Sequence, residues 1–124
     1  MKISLKGKRV FISGAAEGIG RATAQSMHKL GAEVIICDID EEKLSSMGNE
    51  IKTFVCDVSD FISVERMFKE IENFGLDILV NNAGISGPTK LIENITADEW
   101  RDCMAVCIDS NFYCTRSAVP IFKQ

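Results

Sequence analysis

Ser13-Gly14-Ala15-Ala16-Glu17-Gly18-Ile19-Gly20 follows a short apolar run and opens a segment of helical character. Val10-Phe11-Ile12 has the length and β-branched content of a buried strand. Beyond the glycines, Ile19, Ala22, Thr23, Met27 and Leu30 repeat at helical spacing and mark a face to be buried. Glycine at such a junction lets the backbone turn sharply and approach another group closely. The helix that follows presents free N–H groups and the positive end of its dipole, a natural seat for a pyrophosphate. Taken alone the pattern is loose, with Gly14 and Gly20 as turn glycines the lesser, competing reading.

The next strand sharpens the reading. Glu33-Val34-Ile35-Ile36-Cys37 is a second apolar run, and it ends at Asp38. In a dinucleotide-binding βαβ unit, an acid about 20 residues after the glycines accepts hydrogen bonds from the adenosine ribose. Asp38 has an alternative role as a helix N-cap, but Asp40, leading into Glu41, Glu42 and Lys43, fits that role better. A 2′-phosphate beside Asp38 would meet like charge, costing roughly 4 kcal/mol at about 4 Å and an effective dielectric of about 20. The flanking Glu17, Cys37 and Ile39 supply no cation, and Arg21 reaches the spot only by curling back. The expected cofactor is therefore NAD rather than NADP.

A third loop follows strand Ile78-Leu79-Val80: Asn81-Asn82-Ala83-Gly84. With it, the chain resembles the short-chain dehydrogenase/reductase family of NAD(P)-dependent oxidoreductases. The resemblance is carried by Gly14, Gly18 and Gly20 in their Gly-x-x-x-Gly-x-Gly spacing, by Asp38, by Asp57-Val58 and by Asn81 to Gly84. Glu99-Trp100 and Phe112-Tyr113-Cys114-Thr115-Arg116 extend it over essentially the whole chain. Ser13 stands where the family usually has Thr, which keeps the hydroxyl. The resemblance implies that Ser13, Gly14, Glu17, Gly18, Ile19 and Gly20 form the pyrophosphate loop. It places Asp38 and Ile39 at the adenosine ribose, and Asp57 and Val58 beside the adenine. Asn81, Ala83 and Gly84 would line the path toward the nicotinamide. Asp57 also reads as a cap or turn residue, and Asn82 as a tie between neighbouring strands.

The family's acid/base machinery is a different matter. The resemblance implies a Ser and a Tyr-x-x-x-Lys pair, supported by an Asn on the long preceding helix. The only tyrosine is Tyr113, and position 117 is Ser rather than Lys. Tyr113 therefore reads as helix packing. Anchoring on Glu99-Trp100 and Phe112-Tyr113 puts Cys107 at the position of the supporting Asn and Ser110 where relatives commonly have Gly. Asn111 is a conceivable substitute, but a surface or interface role is the preferred reading. No catalytic residue is assigned, and the 124 residues alone are expected to be inactive.

The strands read as continuous apolar runs, so both sheet faces should carry helices. The expected order is β 9–13, α 18–30, β 33–38, α 41–47, β 52–56, α 60–73, β 77–81 and a long helix from about 97. Phe61, Val64, Phe68 and Ile71 form the sheet-facing stripe of the third helix, and Thr96 with Glu99 a capping box for the last. Gly31, Gly48 and Gly75 sit where left-handed caps belong. Right-handed crossovers give a doubly wound, Rossmann-type parallel α/β sheet of strand order 3-2-1-4, lacking the strand expected after the long helix. Residues 1–124 thus read as one NAD-binding domain, incomplete at its catalytic end. Pro120 is expected to kink or end the last helix. The open edge of strand 78–80 makes the isolated chain an aggregation risk.

Net charge is −4 with scattered basic residues, which argues against nucleic acid as partner. No run of about 18 apolar residues occurs, so a membrane span is not expected. Five cysteines without a Cys-x-x-Cys pair, and no leader-like stretch, point to a reducing, cytoplasmic compartment. Cys103, Cys107 and Cys114 share a helical face; packing is the preferred reading over a metal site, and no metal is expected. Asn94-Ile95-Thr96 matches a glycosylation sequon by coincidence in such a compartment. The loop 85–95 borders the expected pocket for a small alcohol or carbonyl substrate. The leading reading is a hydride-transferring oxidoreductase, a homodimer or homotetramer when complete. The alternative is a non-catalytic dinucleotide-binding module. A methyltransferase would also carry an acid after its second strand, but Asn81 to Gly84 speaks against it.

Overall fold

In the computed structural model, residues 2–124 are described, and they form a four-stranded parallel sheet with helices on both faces. The elements are β1 (Arg9–Ser13), α1 (Gly18–Lys29), β2 (Glu33–Asp38), α2 (Glu41–Ser45), β3 (Lys52–Val55), α3 (Phe61–Phe74) and β4 (Ile78–Val80). A 3-10 turn (Ile92–Asn94), α4 (Ala97–Met104), a π-helical turn (Ala105–Asp109) and α5 (Ser110–Phe122) complete the chain. Strand order is β3-β2-β1-β4, as the sequence implied. The register pairs Phe11 with Ile35 on one side and with Leu79 on the other.

Strand alternation divides the core into two layers. Val10, Ile12, Val34 and Ile36 face α1 and α2, where Ala24 and Leu44 meet them. Phe11, Ile35 and Cys37 face the other way, against Val64, Met67, Phe68 and Ile71 of α3 and Cys114, Ala118 and Ile121 of α5. The Phe11 and Phe68 rings meet edge to face with centroids 5.1 Å apart. At the N-terminal ends of the strands, the Arg9 guanidinium pairs with Asp77 at 3.1 Å and donates to the Phe74 carbonyl. The outer edge of β4 has no strand partner among the described residues.

Several boundaries and faces differ from expectation. The buried residues of α1 are Gly20 and Ala24, whereas Ile19 is 80% exposed and Leu30 and Ala22 also face solvent. The cause is close approach: a Cβ on Gly20 would lie 2.8 Å from the Gly14 carbonyl oxygen and 2.9 Å from the Ala15 Cα. Only the smallest side chains fit that face, so large apolar residues point away from it. The stripe of α3 keeps Val64, Phe68 and Ile71 and gains Met67, whereas Phe61 at the helix start is only half-buried and packs on Tyr113 instead. The long helix starts at Ala97 as expected, with the Glu99 N–H donating to Thr96 Oγ1, but a π turn interrupts it. Ser110, buried inside that helix, donates its hydroxyl to the Val106 carbonyl one turn back. Pro120 does not end the helix, which continues to Phe122.

Candidate functional site

β1, β2, β3 and β4 all point their carboxyl ends at one cleft of about 710 Å³. In an open parallel sheet that is where ligands bind, at the point where strand order reverses. Gly14 and Glu17 after β1, Asp38 and Ile39 after β2, Asp57 and Val58 after β3, and Ala83 and Gly84 after β4 all line it. Asn82, Ile85 and Val106 line it as well.

Gly14 is held at φ +64°, and a Cβ there would come within 2.7 Å of the Ala83 Cα. The first and fourth loops therefore touch backbone to backbone, which only glycine permits. Gly18 has φ +61° with open space where its Cβ would be, so its need is conformational. Gly20 serves the packing of α1 against the loops, since its Cβ would also strike the Asn82 amide. No side chain caps α1; Glu17, its N-cap, makes no side-chain cap bond. The positive end of that helix is thus open to an external acceptor.

Ser13 does not line the cleft. It is 2% exposed, and its Oγ accepts from the N–H groups of Asn82 and Ala83, both at 3.0 Å. The Asn82 Nδ2 returns the tie, donating to the Ser13 and Gly14 carbonyls. Ser13 and Asn82 are therefore the residues that fix the relative position of the first and fourth loops. Gly18, Ile19 and Gly20 lie along the helix start outside the cleft lining, and Asn81 turns outward, donating to Thr115 Oγ1 at 3.1 Å.

Asp38 is aimed by the backbone. One carboxylate oxygen accepts from the Ala16 N–H and the other from the Asp40 N–H, both at 3.1 Å. Each oxygen retains a lone pair for a further donor. Asp40 caps α2 through the Lys43 N–H, as its position in the sequence suggested. Asp57 takes the turn role as well as lining the cleft, accepting from the Ser59 N–H and hydroxyl, while Asp60 caps α3. Lys43, read from the sequence only as part of the helix that Asp40 starts, pairs with the cleft residue Glu17. Arg21 is tied to the Ala16 carbonyl and Ser46 Oγ.

The cysteines separate into two groups. Cys37, Cys56 and Cys114 belong to the core. The Cys56 contact and burial hold the Cys37 thiol well above its ordinary range. Burial pushes Cys114 up to about 12, so both remain neutral packing groups. Cys103 and Cys107 sit together against Ile85 instead, their Sγ atoms 4.0 Å apart. Tyr113 packs edge-on against Phe61 with ring centroids 5.3 Å apart, and Asn111 is exposed. Cys37, Cys56, Asp40, Glu41, Ile85 and Val106 line the cleft without having been singled out as site residues. The two cysteines had a readable signal, since each lies beside a strand-end acid. Val106 had none, because it reaches the cleft only through the fold-back of the long helix.

A doubly wound sheet with a glycine loop, an acid closing β2 and a cleft at the switch point defines a Rossmann-type α/β protein. The profile of the short chain dehydrogenase family matches residues 8–124, and the chain belongs to that family. Members are oxidoreductases that bind NAD(P) nucleotides and act on small molecules, commonly as oligomers. The chain is 35% identical to a 3beta-hydroxysteroid dehydrogenase of Mediterraneibacter gnavus, covering 94% of this chain and 45% of the relative. It is 37% identical to a 3-oxoacyl-(acyl-carrier-protein) reductase of Rickettsia prowazekii, covering 98% and 51%. A ligand-free aldohexose dehydrogenase of Thermoplasma acidophilum superposes with a TM-score of 0.86 at 30% identity, covering 95% of this chain and 45% of that one. The chain spans about half the length of the curated relatives it matches. No helix among the described residues is long and apolar enough to cross a membrane.

Proposed function

We propose that this chain is the cofactor-binding half of an NAD-dependent dehydrogenase or reductase acting on an alcohol/carbonyl pair. The observation that carries the reading is Asp38, fixed by two backbone donors in a cleft that also borders the uncapped N-terminus of α1. The cleft fits the group: the Gly14–Ala83 approach and the bare backbone at Gly18 leave room that side chains would fill. Gly14, Gly18, Ile19 and Gly20 would hold the pyrophosphate and Asp38 with Ile39 the adenosine ribose. Asp57 and Val58 would flank the adenine, with Asn81, Ala83 and Gly84 toward the nicotinamide. Ser13 acts through Asn82 and Ala83, by keeping that wall in place. When bound, the nicotinamide supplies the hydride acceptor or donor; the chain's own part is to grip and orient it.

NAD is the preferred form. Glu17, Asp38, Asp40 and Glu41 line the mouth where a 2′-phosphate would lie. The nearby cations Lys43 and Arg21 are already engaged by Glu17, Ala16 and Ser46. The exposed apolar residues Ile108, Phe112 and Phe122 support a homo-oligomer assembled partly through the long helix. Five free cysteines support a cytoplasmic setting. A non-catalytic nucleotide-sensing module is the second reading, favoured by Cys107 at the family's Asn position. Calorimetric titration with NAD+ and NADP+ tests the preference: NAD+ should bind at least ten-fold more tightly, and tighter NADP+ binding overturns it. NADH consumption by the complete protein with a carbonyl substrate would separate the enzyme from the module.

A further inference from the structure

Cys103 and Cys107 lie four residues apart on the long helix, and both thiols converge on one backbone carbonyl. The two Sγ atoms are 4.0 Å apart, and the Ile85 oxygen lies 3.2 Å from Cys107 Sγ and 3.8 Å from Cys103 Sγ. We propose that these three donors form a binding site for a thiophilic divalent cation of the zinc and cadmium class, at the edge of the cleft.

The triangle has the dimensions of three corners of such a site. Two metal–sulfur bonds of about 2.3 Å that span 4.0 Å enclose an angle of about 120°, between tetrahedral and trigonal. Tetrahedral bonds of about 2.3 Å to sulfur and about 2.1 Å to oxygen place those atoms roughly 3.6 Å apart. The two observed sulfur–oxygen distances lie on either side of that value. Thiolates are the donors that select soft and borderline cations over magnesium or calcium. The Ile85 N–H also donates to Cys107 Sγ at 3.4 Å, an outer contact that stabilises the thiolate.

The surrounding chain keeps the space open. A Cβ at Gly87, which has φ +70°, would lie 3.3 Å from Cys103 Sγ, tighter than an ordinary contact. Cys107 belongs to the π-helical turn, a form found disproportionately at functional sites. Both cysteines are half-buried, within reach of solvent ions. Direct oxidation suits the geometry less well. Helical residues four apart have Cβ atoms about 5–6 Å apart, whereas a disulfide wants about 3.5–4.5 Å. A bridging ion needs no such closure. On binding, two S–H bonds break, two metal–sulfur bonds form, and two protons pass to solvent. The ion would pin the Gly84–Gly87 loop, one wall of the cleft, to the helix. Nothing in this depends on which nucleotide the cleft takes.

Titration of the reduced protein with cadmium ion alone tests the site, followed by sulfur-to-cadmium charge-transfer absorption and by proton release. The expected result is one ion per chain and two protons per ion. Cys103→Ser and Cys107→Ser should each weaken binding at least ten-fold, and Cys114→Ala should leave it unchanged. A second measurement needs no variant: a trivalent phenylarsenic oxide forms two arsenic–sulfur bonds as its oxygen leaves as water. Peptide mapping should find that bridge between Cys103 and Cys107. Cadmium binding that is absent, or that is indifferent to both serine substitutions, overturns the proposal. An arsenic bridge located elsewhere, or no bridge, does the same.

Discussion

Replacing Ser13 by Ala removes one oxygen from the point where the first and fourth loops join. That oxygen accepts two backbone N–H groups, from Asn82 and Ala83, each at 3.0 Å, and Ser13 is 2% exposed. A buried donor left without a partner costs about 1–3 kcal/mol. The two donors share one acceptor, and the Asn82 side-chain amide still ties the loop to the Ser13 and Gly14 carbonyls. The expected loss is therefore about 2–4 kcal/mol, below the full sum of two orphaned donors. Against a typical total of about 5–15 kcal/mol this is a large fraction. Urea unfolding followed by far-ultraviolet circular dichroism measures it as a lower midpoint at unchanged slope. Ser13→Thr keeps the hydroxyl in a strand position that suits a β-branched residue, and its loss should stay below about 1 kcal/mol. A Ser13→Ala loss under about 0.5 kcal/mol, the range of an inconsequential surface change, refutes the reasoning. So does a Thr variant as damaged as the Ala one.

Gly20→Ala gains about 1 kcal/mol of helix propensity but meets backbone atoms at 2.8 and 2.9 Å, an overpacking that costs about 1–3 kcal/mol. The net sign should be destabilising, and a thermal melt shifted upward would contradict it. Asp38→Asn removes a charged acceptor whose hydrogen bonds are worth about 1.5–3 kcal/mol, so NAD+ affinity should fall about 10- to 100-fold by calorimetry; equal loss for NADP+ would remove Asp38 from the specificity argument. The Arg9 guanidinium holds the Asp77 carboxyl below its usual 3.8. Because the folded pKa is the lower one, the pair's contribution is complete above about pH 4 and disappears as pH falls through the folded value. Asp77→Asn should therefore lower stability near neutrality and flatten the acid limb of the stability–pH curve; parallel curves for the two proteins would sink that assignment.

The sheet was readable because β1, β2 and β4 announced themselves twice, by an apolar run and by the loop chemistry at the carboxyl end; β3, Lys52-Thr53-Phe54-Val55, has only the second signal, in Asp57-Val58. Asp38 illustrates this: β2 stops there, and the residue's aim follows from Asp40 starting a helix two positions later. The exposed face of α1 was misjudged for a physical reason. Periodicity counts large apolar residues, but close packing selects small ones, and Gly20 with Ala24 carry that face. Ser13 was grouped with ligand-contacting residues, although its hydroxyl is consumed inside the protein; the pairing is long-range and leaves no local mark. Lys43 was hidden similarly, since its partner Glu17 is distant in sequence. The π turn has no visible cause in the residues Ala105 to Asp109 themselves.

Amide chemical shifts recorded during NAD+ titration of isotopically labelled protein bear most directly on the claim that the cleft holds the dinucleotide. The largest changes should fall at Gly14, Gly18 to Gly20, Asp38, Val58 and Ala83 to Gly84. Silent amides at those positions, or changes gathered at Arg9, His28 and Lys52 by the opposite strand ends, would contradict it.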